Sequence, residues 1–359
     1  MSTRLIYNSV LLGLILITCQ VQAQMTIHVI NVGQGNCVLV QGPQVDGVRK
    51  TILFDGGKEE RGEELLDYLE RIGYEPSNTT FDYMVVSHKD EDHYGGFIPL
   101  LNAGYDVDAY YHNSHSPKRG YDDLVNLIDQ KARKKHVMQP GYELDLGGGA
   151  KATCVITAGK IIGGESVGNL SENDRSIGLL FEYKGFEFFS AGDLGGGDNS
   201  AETNCTHRST GQKDLETPLV NAMVRQRILE RDKGIEVLHV GHHGSESSTN
   251  STFMNLMSPS LAVISIGQNQ GWNYEHPRYD IVDRVLMATV SCIEVEPALV
   301  LQTEEGRQSD KTSFSGYAVG DIIIDVYGDG TYRVTSTGEF LGGVDESRQA
   351  GLPLTLKID

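Results

Sequence analysis

The chain has 359 residues, of which 39% are hydrophobic, 22% are charged and 42 are glycine. This composition is typical of a globular protein, and it excludes a disordered chain, a collagen-like repeat and a protein of many membrane spans. Asp and Glu outnumber Lys and Arg by 49 to 30, giving a formal net charge of −19. Such a charge attracts multivalent cations, and it disfavours contact with nucleic acid without excluding it.

Residues 1–23 are predicted to be a signal peptide rather than part of the fold. Arg4 gives a basic start, 11–17 is an apolar run too short to span a bilayer, and Val21-Gln22-Ala23 resembles a cleavage site. We therefore expect an exported protein, periplasmic or secreted, without stable membrane insertion. Cys19 also allows a lipoprotein, which the threonine before it disfavours, and an uncleaved anchor is the other alternative.

Apolar periodicity predicts the elements in chain order. Alternating or continuous apolar runs bounded by turn residues predict strands at 25–32, 37–40, 51–54, 81–87, 177–183, 186–191, 236–240, 261–266, 320–326 and 332–336. Apolar residues at helical spacing predict helices at 63–72, 96–101, 122–133, 218–231 and 281–287.

The predicted strands outnumber the helices and come in two runs, each with helices attached. This order favours two sheets packed face to face with helices outside, a four-layer α/β arrangement. Because no linker-like stretch or repeat divides the sequence, residues 24–359 are predicted to form one domain. A domain of this length is large, and we expect insertions near 105–175 and 194–217 to account for the excess.

Four cysteines remain after the predicted cleavage: Cys37, Cys154, Cys205 and Cys292. In an oxidising compartment they allow two disulfides, with three pairings that the sequence does not separate. Buried or simply unpaired cysteines are the alternative. No two of them have the close spacing of a thiolate metal site.

Metal-ligand residue types cluster directly after predicted strands. The densest cluster follows the strand at 81–87 and contains His88, Asp90, Asp92 and His93. Imidazole and carboxylate bind zinc and harder ions such as manganese, and four such groups in six residues can reach two adjacent ions. A solvated acidic loop is the alternative, but the buried strand before the cluster and the glycine pair after it favour a fixed site.

Two further clusters follow later strands. Asp193 comes after the strand at 186–191, where its carboxylate could bridge two ions; a turn aspartate is the alternative. His242 and His243 follow the strand at 236–240. Adjacent side chains leaving a strand point to opposite sides, so one imidazole is expected to bind metal while the other touches substrate or supports a ligand. A structural histidine pair is the alternative.

Five motifs occur in a definite order. They are I-N-V-G-Q-G-N at 30–36, L-F-D-G-G at 53–57, S-H-K-D-E-D-H-Y-G-G at 87–96, G-D at 192–193 and G-H-H-G-S at 241–245. In this order they resemble the metallo-β-lactamase superfamily and, more narrowly, its branch typified by the metallohydrolase domain of ComEC-type competence proteins. The resemblance covers about 26–290. It implies an αββα sandwich of two packed mixed β-sheets with a two-metal site at one edge.

The same resemblance implies the site residues and the cofactor. The implied metal ligands are His88, Asp90, Asp92, His93, Asp193, His242 and His243. Asp193 matches the bridging carboxylate, and Asp90 stands where many relatives have a second His. Which of the two adjacent histidines is the ligand stays open. The implied cofactor is a pair of divalent metal ions, Zn²⁺ in the first place and Mn²⁺ as the alternative.

Asn269 and His276 resemble the segment near the substrate in this branch, although His276 as an ordinary surface residue is an equal alternative. The chain also departs from the family pattern in three places. Wider relatives have a His where this sequence has 172–176, so Asn173 or Asp174 is a candidate for a weak substitute. Asn36 replaces an Asp, and the insertion at 194–217 is expected to reshape the pocket.

The ligand set predicts metal-assisted hydrolysis. Two cations roughly 3.5–4 Å apart lower the pKa of a shared water and neutralise charge on the attacked centre. Asp92, His242 and His276 are the predicted catalytic residues, with His276 or the non-ligating member of the adjacent pair giving a proton to the leaving group.

The expected substrate is a phosphodiester, because the branch that the motifs resemble is associated with that bond. The acidic composition suits a small phosphodiester or phospho-headgroup better than nucleic acid. Two alternatives remain: a hydrolase of a carboxylic ester or lactam, and a catalytically inactive secreted module that binds metal or a partner, which the missing third-motif His supports. The sequence leaves the oligomeric state open.

Overall fold

The computed structural model describes residues 24–114, 118–198, 211–270, 274–287, 296–338 and 351–358. Strands β1 to β18 run over Met25–Val29, Cys37–Gln41, Thr51–Gly56, Thr80–Val85, Asp106–His112, Ala132–Val137, Glu143–Gly147, Ala150–Thr157, Lys160–Ile161, Gly178–Tyr183, Phe186–Ser190, Val237–His239, Leu261–Ile264, Leu299–Gln302, Tyr317–Ala318, Ile322–Val326, Thr331–Ser336 and Leu354–Lys357. Helices α1 to α7 run over Gly62–Arg71, Glu91–Tyr94, Phe97–Ala103, Asp122–Lys131, Glu216–Arg225, Ser251–Met257 and Tyr279–Ile281. A π-helix at Val282–Leu286 continues α7, and 3₁₀ turns lie at Glu59–Arg61, Asn173–Arg175 and Gly241–Gly244.

Within the described ranges the strands form two nine-stranded mixed sheets. The first has the order β18-β17-β16-β1-β2-β3-β4-β5-β6, and the second has the order β15-β14-β13-β12-β11-β10-β8-β7, with β9 paired to β8. Strands β3 to β6 are parallel to one another, and so are β11 to β15. The predicted architecture of two mixed sheets with flanking helices is confirmed.

The largest apolar cluster lies between the two sheets. Successive side chains of a strand point to opposite faces, so Met25, Ile27 and Val29 of β1 join this cluster together with Phe181 of β10 and Phe188 of β11. Because residues from both sheets take part, their inner faces are packed against each other.

Helices cover the outer faces. On the first sheet, Leu65 of α1 and Leu124 of α4 pack over the strands. On the second sheet, Leu219 of α5 and Met257 of α6 do the same. Helix α6 begins at a side-chain cap, because Asn250 Oδ1 accepts a 2.9 Å hydrogen bond from the Phe253 N–H. The helical layers therefore follow from amphipathic segments, each with one apolar face.

The structure adds strands that the apolar pattern did not indicate. The helix predicted at 122–133 ends at Lys131 because β6 begins at Ala132. Residues 105–175, expected to be an insertion, supply β5 to β9 and are part of both sheets. Of the second expected insertion, 194–217, residues 199–210 lie outside the described residues.

Cys37 and Cys154 are buried free thiols. Cys37 packs on the outer face of the first sheet, whereas Cys154 packs between the sheets. Burial raises the pKa of both thiols, so both are protonated at neutral pH. Cys205, Cys292 and the predicted signal peptide lie outside the described residues. Across the described ranges, helices are too short or too polar to cross a bilayer.

Candidate metal centre

The candidate site is built from loops at the carboxyl ends of parallel strands. Asp55 is the penultimate residue of β3, His88 follows β4, Asp193 follows β11 and His242 follows β12. Ligand sites in sheets of this kind lie at such strand ends, where loops present side chains from a rigid scaffold. A backbone hydrogen bond of 3.0 Å from the His242 N–H to the Gly192 carbonyl joins two of the loops.

The loop after β4 contributes two buried imidazoles and the short helix α2. The rings of His88 and His93 have centroids 4.1 Å apart, and both residues are fully buried. Asp92 lies on α2 beside them, with Oδ1 3.9 Å from His93 Nε2. The spacing of this motif therefore brings three candidate ligands to one side of the loop.

Hydrogen bonds orient each imidazole through its Nδ1 atom. His93 Nδ1 lies 2.8 Å from Asp55 Oδ2, and His243 Nδ1 lies 2.8 Å from the Ser265 carbonyl. His88 Nδ1 lies 3.1 Å from the Ser87 hydroxyl. Because the inner nitrogen is engaged in each case, the Nε2 atom is directed towards the centre of the site, as in metal-ligating histidines.

Asp193 lies in the middle of the cluster. Its Oδ1 is 3.1 Å from His93 Nε2, and its Oδ2 is 3.4 Å from His242 Nε2 and 3.8 Å from His88 Nε2. Gly192 before it has a φ of +52°, and a Cβ there would lie 2.5 Å from the Ser87 hydroxyl. The glycine is thus needed for the close approach that places the carboxylate.

The two adjacent histidines point in different directions. His242 and His243 have φ values of 50° and 53°, a left-handed conformation that is costly for non-glycine residues. His243 Nε2 lies 3.4 Å from Asp92 Oδ2, whereas His242 Nε2 faces Asp193 Oδ2 and lies 3.3 Å from Asn173 Nδ2. Both imidazoles reach the cluster, one from each side.

The donor set fits metal ions. Among the described residues, four buried atoms at the centre have no hydrogen-bond partner: Nε2 of His88, Nε2 of His93, Nε2 of His243 and Oδ1 of Asp193. Leaving such atoms unsatisfied is costly unless a ligand engages them. Two overlapping triads each have ligand atoms within 4.8 Å of one another, His88 with His93 and Asp193, and Asp92 with His93 and His243.

Asp90 has a different environment. Its Oδ2 lies 3.5 Å from His88 Nε2, while its Oδ1 forms an ion pair with Lys118. The side chain therefore stands at the edge of the cluster, shared between the centre and a lysine.

The third-motif segment presents Asn173, not Asp174, to the centre. Asn173 lines the cleft over the cluster. Asp174 is buried, and its carboxylate accepts hydrogen bonds from the backbone N–H groups of Ser171 and Lys213. Of the two candidate substitutes for the missing His, only Asn173 is placed to contact a metal or a substrate.

A cleft of about 380 Å³ opens over the cluster. Its walls include Asp92, His242, Lys58 and the buried His276, whose ring centroid lies 5.8 Å from that of His242. Gln270 holds the backbone of His276 by accepting a 2.8 Å hydrogen bond from its N–H. Asn269 lies outside this cleft and lines a neighbouring one of about 230 Å³.

Burial and charge set the protonation of the cluster. Burial lowers the pKa of His93, but the carboxylates of Asp193 and Asp55 outweigh it and hold that pKa well above its usual value. Burial and the nearby His93 lower the pKa of His88 to about 4. A cation that binds His93 would therefore compete with a proton.

Asp55 belongs to the L-F-D-G-G motif but was not among the predicted site residues. The carboxylate accepts hydrogen bonds of 2.7 Å from the N–H and the hydroxyl of Ser87, in addition to its contact with His93. The sequence offered a signal for a site residue here, because Asp55 follows a predicted strand and precedes glycine, and the predicted ligands also follow predicted strands. Lys58 and Gln270 were also missed, and nothing in the local pattern distinguished them.

The sequence profile described as the Metallo-beta-lactamase superfamily matches residues 30–268, more than half of the chain. Among curated proteins, Recombination protein 2 of Haemophilus influenzae is 25% identical over 265 residues, which are 72% of this chain and 26% of that protein. ComE operon protein 3 of Bacillus subtilis is 23% identical over 317 residues, which are 82% of this chain and 35% of that protein.

The chain thus spans only 26% and 35% of the lengths of these two relatives. Among solved structures, the metallo-beta-lactamase fold protein YhfI from Bacillus subtilis is 13% identical, with 80% of this chain and 98% of that one covered and a TM-score of 0.41. The profile and the two curated relatives confirm the predicted resemblance to this superfamily and its competence-protein branch.

Proposed function

The chain belongs to the metallo-beta-lactamase superfamily, and from this premise we propose that it is an exported metal-dependent hydrolase that cleaves a phosphodiester. One observation carries the proposal. The unpartnered Nε2 atoms of His88 and His93, from the loop after β4, and of His243, from the loop after β12, converge on Asp193. Such a group of buried donors suits a pair of divalent cations, Zn²⁺ or Mn²⁺.

Cations bound there would polarise a phosphoryl oxygen and lower the pKa of a water to near neutrality. His88, His93 and Asp193 would hold one cation, and Asp92 and His243 would supply donors on the other side. Asp55 keeps the His93 ring in place through Nδ1. The carboxylates of the cluster would then be bound to the cations. An anionic substrate would therefore face cations rather than free carboxylates.

The cleft supplies polar groups for the rest of the substrate. Lys58 lines it and has no hydrogen bond or ion pair to another described side chain, so its ammonium group is available to a phosphate oxygen. His276 is buried, and burial with the nearby His242 and His243 holds its pKa well below its usual value. A neutral imidazole still has one N–H, with which His276 can donate a hydrogen bond to the leaving-group oxygen.

The substrate class and the location are supported by less direct observations. The branch resembled by the motifs is associated with phosphodiester cleavage, and the net charge of −19 favours a small phosphodiester over nucleic acid. Export is supported by the basic, apolar and small-residue segments of 1–23. Cleavage after Ala23 would leave Gln24 as the first residue of the purified exported protein, which N-terminal sequencing checks.

Activity on a substrate panel tests the proposal. We expect the metal-loaded mature protein to hydrolyse bis(p-nitrophenyl) phosphate faster than p-nitrophenyl acetate or a chromogenic lactam. Asp92→Ala and His93→Ala should lower this activity by on the order of 100-fold or more, because each removes a metal ligand. His136→Ala, which changes an exposed histidine of β6, is the matched control and should be unaffected.

Three other outcomes would contradict the proposal. Activity that survives both ligand variants or a chelator would place the reaction outside this cluster. A preference for the ester or the lactam would support the second enzyme class. Metal binding without hydrolysis of any substrate would support an inactive module.

A further inference from the structure

A lysine outside the metal cleft contacts the metal cluster. Lys118 lies before α4 and lines a pocket beside that helix, whereas Asp90, with which its ammonium group is paired, lines the metal cleft. We propose that Lys118 is a positioning residue that competes with bound cations for the Asp90 carboxylate and thereby weakens metal binding on the His88 side of the cluster. This inference rests on the metal binding of the proposed function, but not on its phosphodiester substrate.

The Asp90 carboxylate has one oxygen for each of two partners. Its Oδ1 pairs with the Lys118 ammonium group. Its Oδ2 lies 3.5 Å from His88 Nε2, an atom with no hydrogen-bond partner among the described residues. The same His88 Nε2 lies 3.8 Å from Asp193 Oδ2. Asp90 is therefore close enough to this side of the cluster to become a ligand, but a positive charge already engages it.

The side chain of Asp90 has no local structural role that would fix it. Asp90 stands directly before α2, at a position where an aspartate commonly accepts a hydrogen bond from a backbone N–H of the first helical turn. Here the carboxylate makes no such bond. The backbone is nevertheless held, because the Asp90 carbonyl accepts a 3.0 Å hydrogen bond from the His93 N–H. The carboxylate can thus exchange Lys118 for a cation without disturbing α2.

The backbone of Lys118 is held as well, and the ion pair is partly withdrawn from water. The Lys118 carbonyl accepts a 3.1 Å hydrogen bond from the Tyr121 N–H, just before α4 begins. The side chains of Lys118 and Asp90 are 34% and 31% exposed. Charges in such a pair are screened less than charges on the open surface. The ammonium group therefore lowers the negative charge that Asp90 can offer to a cation.

Without Asp90, the first triad offers three protein ligands, His88, His93 and Asp193. Three protein ligands are typical of catalytic zinc sites, which keep a further position for water or substrate, whereas four are typical of closed structural sites. A carboxylate added to the triad would bind the cation more tightly and would fill that position. Lys118 thereby favours an open site over a tight one.

Competition between the protein and a chromogenic chelator for Zn²⁺ tests the proposal. Lys118→Gln should raise the Zn²⁺ affinity by about fivefold or more, which corresponds to ~1 kcal/mol, the upper end for exposed ion pairs. Lys118→Arg keeps the pair and should bind Zn²⁺ as the unchanged protein does. Lys135→Gln is the matched control, because Lys135 lines the same pocket but pairs with Asp129. Loss of the same charge there should leave the affinity unchanged.

A double variant shows whether Lys118 acts through Asp90. In the Asp90→Asn background, Lys118→Gln should lose most of its gain, because the carboxylate that it releases is absent. An equal gain in that background, an equal gain in Lys118→Arg or Lys135→Gln, or no gain in Lys118→Gln would each overturn the proposal. Misfolding cannot imitate the expected result, because it lowers metal affinity.

The same measurement separates this inference from the proposed function. Absence of Zn²⁺ binding in the unchanged protein would overturn the inference and the metal centre together. Absence of phosphodiester hydrolysis in a protein that binds Zn²⁺ would overturn only the proposed function, since the affinities of the Lys118 variants do not depend on turnover.

Discussion

At the scale of single residues, the site depends on how imidazole rings are held. His93, His243 and His88 each engage Nδ1 with a carboxylate, a carbonyl or a hydroxyl. The tautomer that leaves Nε2 free to bind a cation is thereby favoured before any cation arrives. Asp55 does not line the cleft, but it contributes to this preorganisation through His93.

Removing the charge at Asp55 should weaken metal binding. We expect Asp55→Asn to lower the affinity for Zn²⁺ by about 10–100-fold, since the amide no longer favours the required orientation and charge of His93. The measurement is competition with a chromogenic chelator. Asp82→Asn is the control, because Asp82 is also a hydrogen-bonded strand carboxylate, accepting from the Thr51 N–H at 2.9 Å, but lies away from the centre. Equal affinities in the two variants would contradict the role given to Asp55.

At the scale of elements, burial explains only part of what the sequence predicted, since β8 is almost fully buried and was not predicted. Strands with continuous or alternating apolar residues, such as β10 and β11, were predicted. Strand β6 was missed because its sequence A-R-K-K-H-V places mostly exposed residues at the edge of a sheet. Hydropathy carries no signal where a strand is held by backbone pairing to its neighbour alone.

The buried His28 of β1 should make the free energy of unfolding depend on pH. Burial lowers the pKa of His28 to about 4 from its usual 6.5, and its Nδ1 lies 2.7 Å from the Tyr68 hydroxyl of α1. The folded state therefore binds fewer protons than the unfolded state between pH 6.5 and pH 4. The stabilisation is fully present above pH 6.5 and is lost as the pH falls towards 4.

Unfolding by denaturant at several pH values measures this effect. From pH 6.5 to 4, His28→Gln should lose less unfolding free energy than the unchanged protein, by up to about 1.4 kcal/mol per pH unit. His136→Gln, at an exposed position on β6, should keep the original slope. An identical slope in the His28 variant would show that this histidine is not buried neutral.

At the scale of the whole molecule, the centre joins the two halves of the sandwich. His88, Asp92 and His93 come from the first sheet, whereas Asp193 and His243 come from the second. Cations held between these residues would link the two sheets. Metal binding would then be coupled to the stability of the fold.

Chelation should lower the thermal stability of the protein. At a free Zn²⁺ concentration of about 100 times Kd, the bound form is stabilised by about 2.7 kcal/mol relative to the metal-free form. Calorimetry of metal-loaded and chelator-treated protein measures the shift in Tm, and His93→Ala should show little or none of it. A Tm that does not respond to metal in the unchanged protein would mean that the cluster holds no cation across the sheets.

Sequence alone predicted the class of fold and the loops that meet at the candidate site, because apolar periodicity and ordered short motifs are local properties of the chain. Tertiary structure decided which atoms meet. It assigned Asn173 rather than Asp174 to the cleft, brought Asp55 to His93 and paired Asp90 with Lys118. These contacts join residues from different loops and strands, and their partners are set by packing of the two sheets, which no local pattern records.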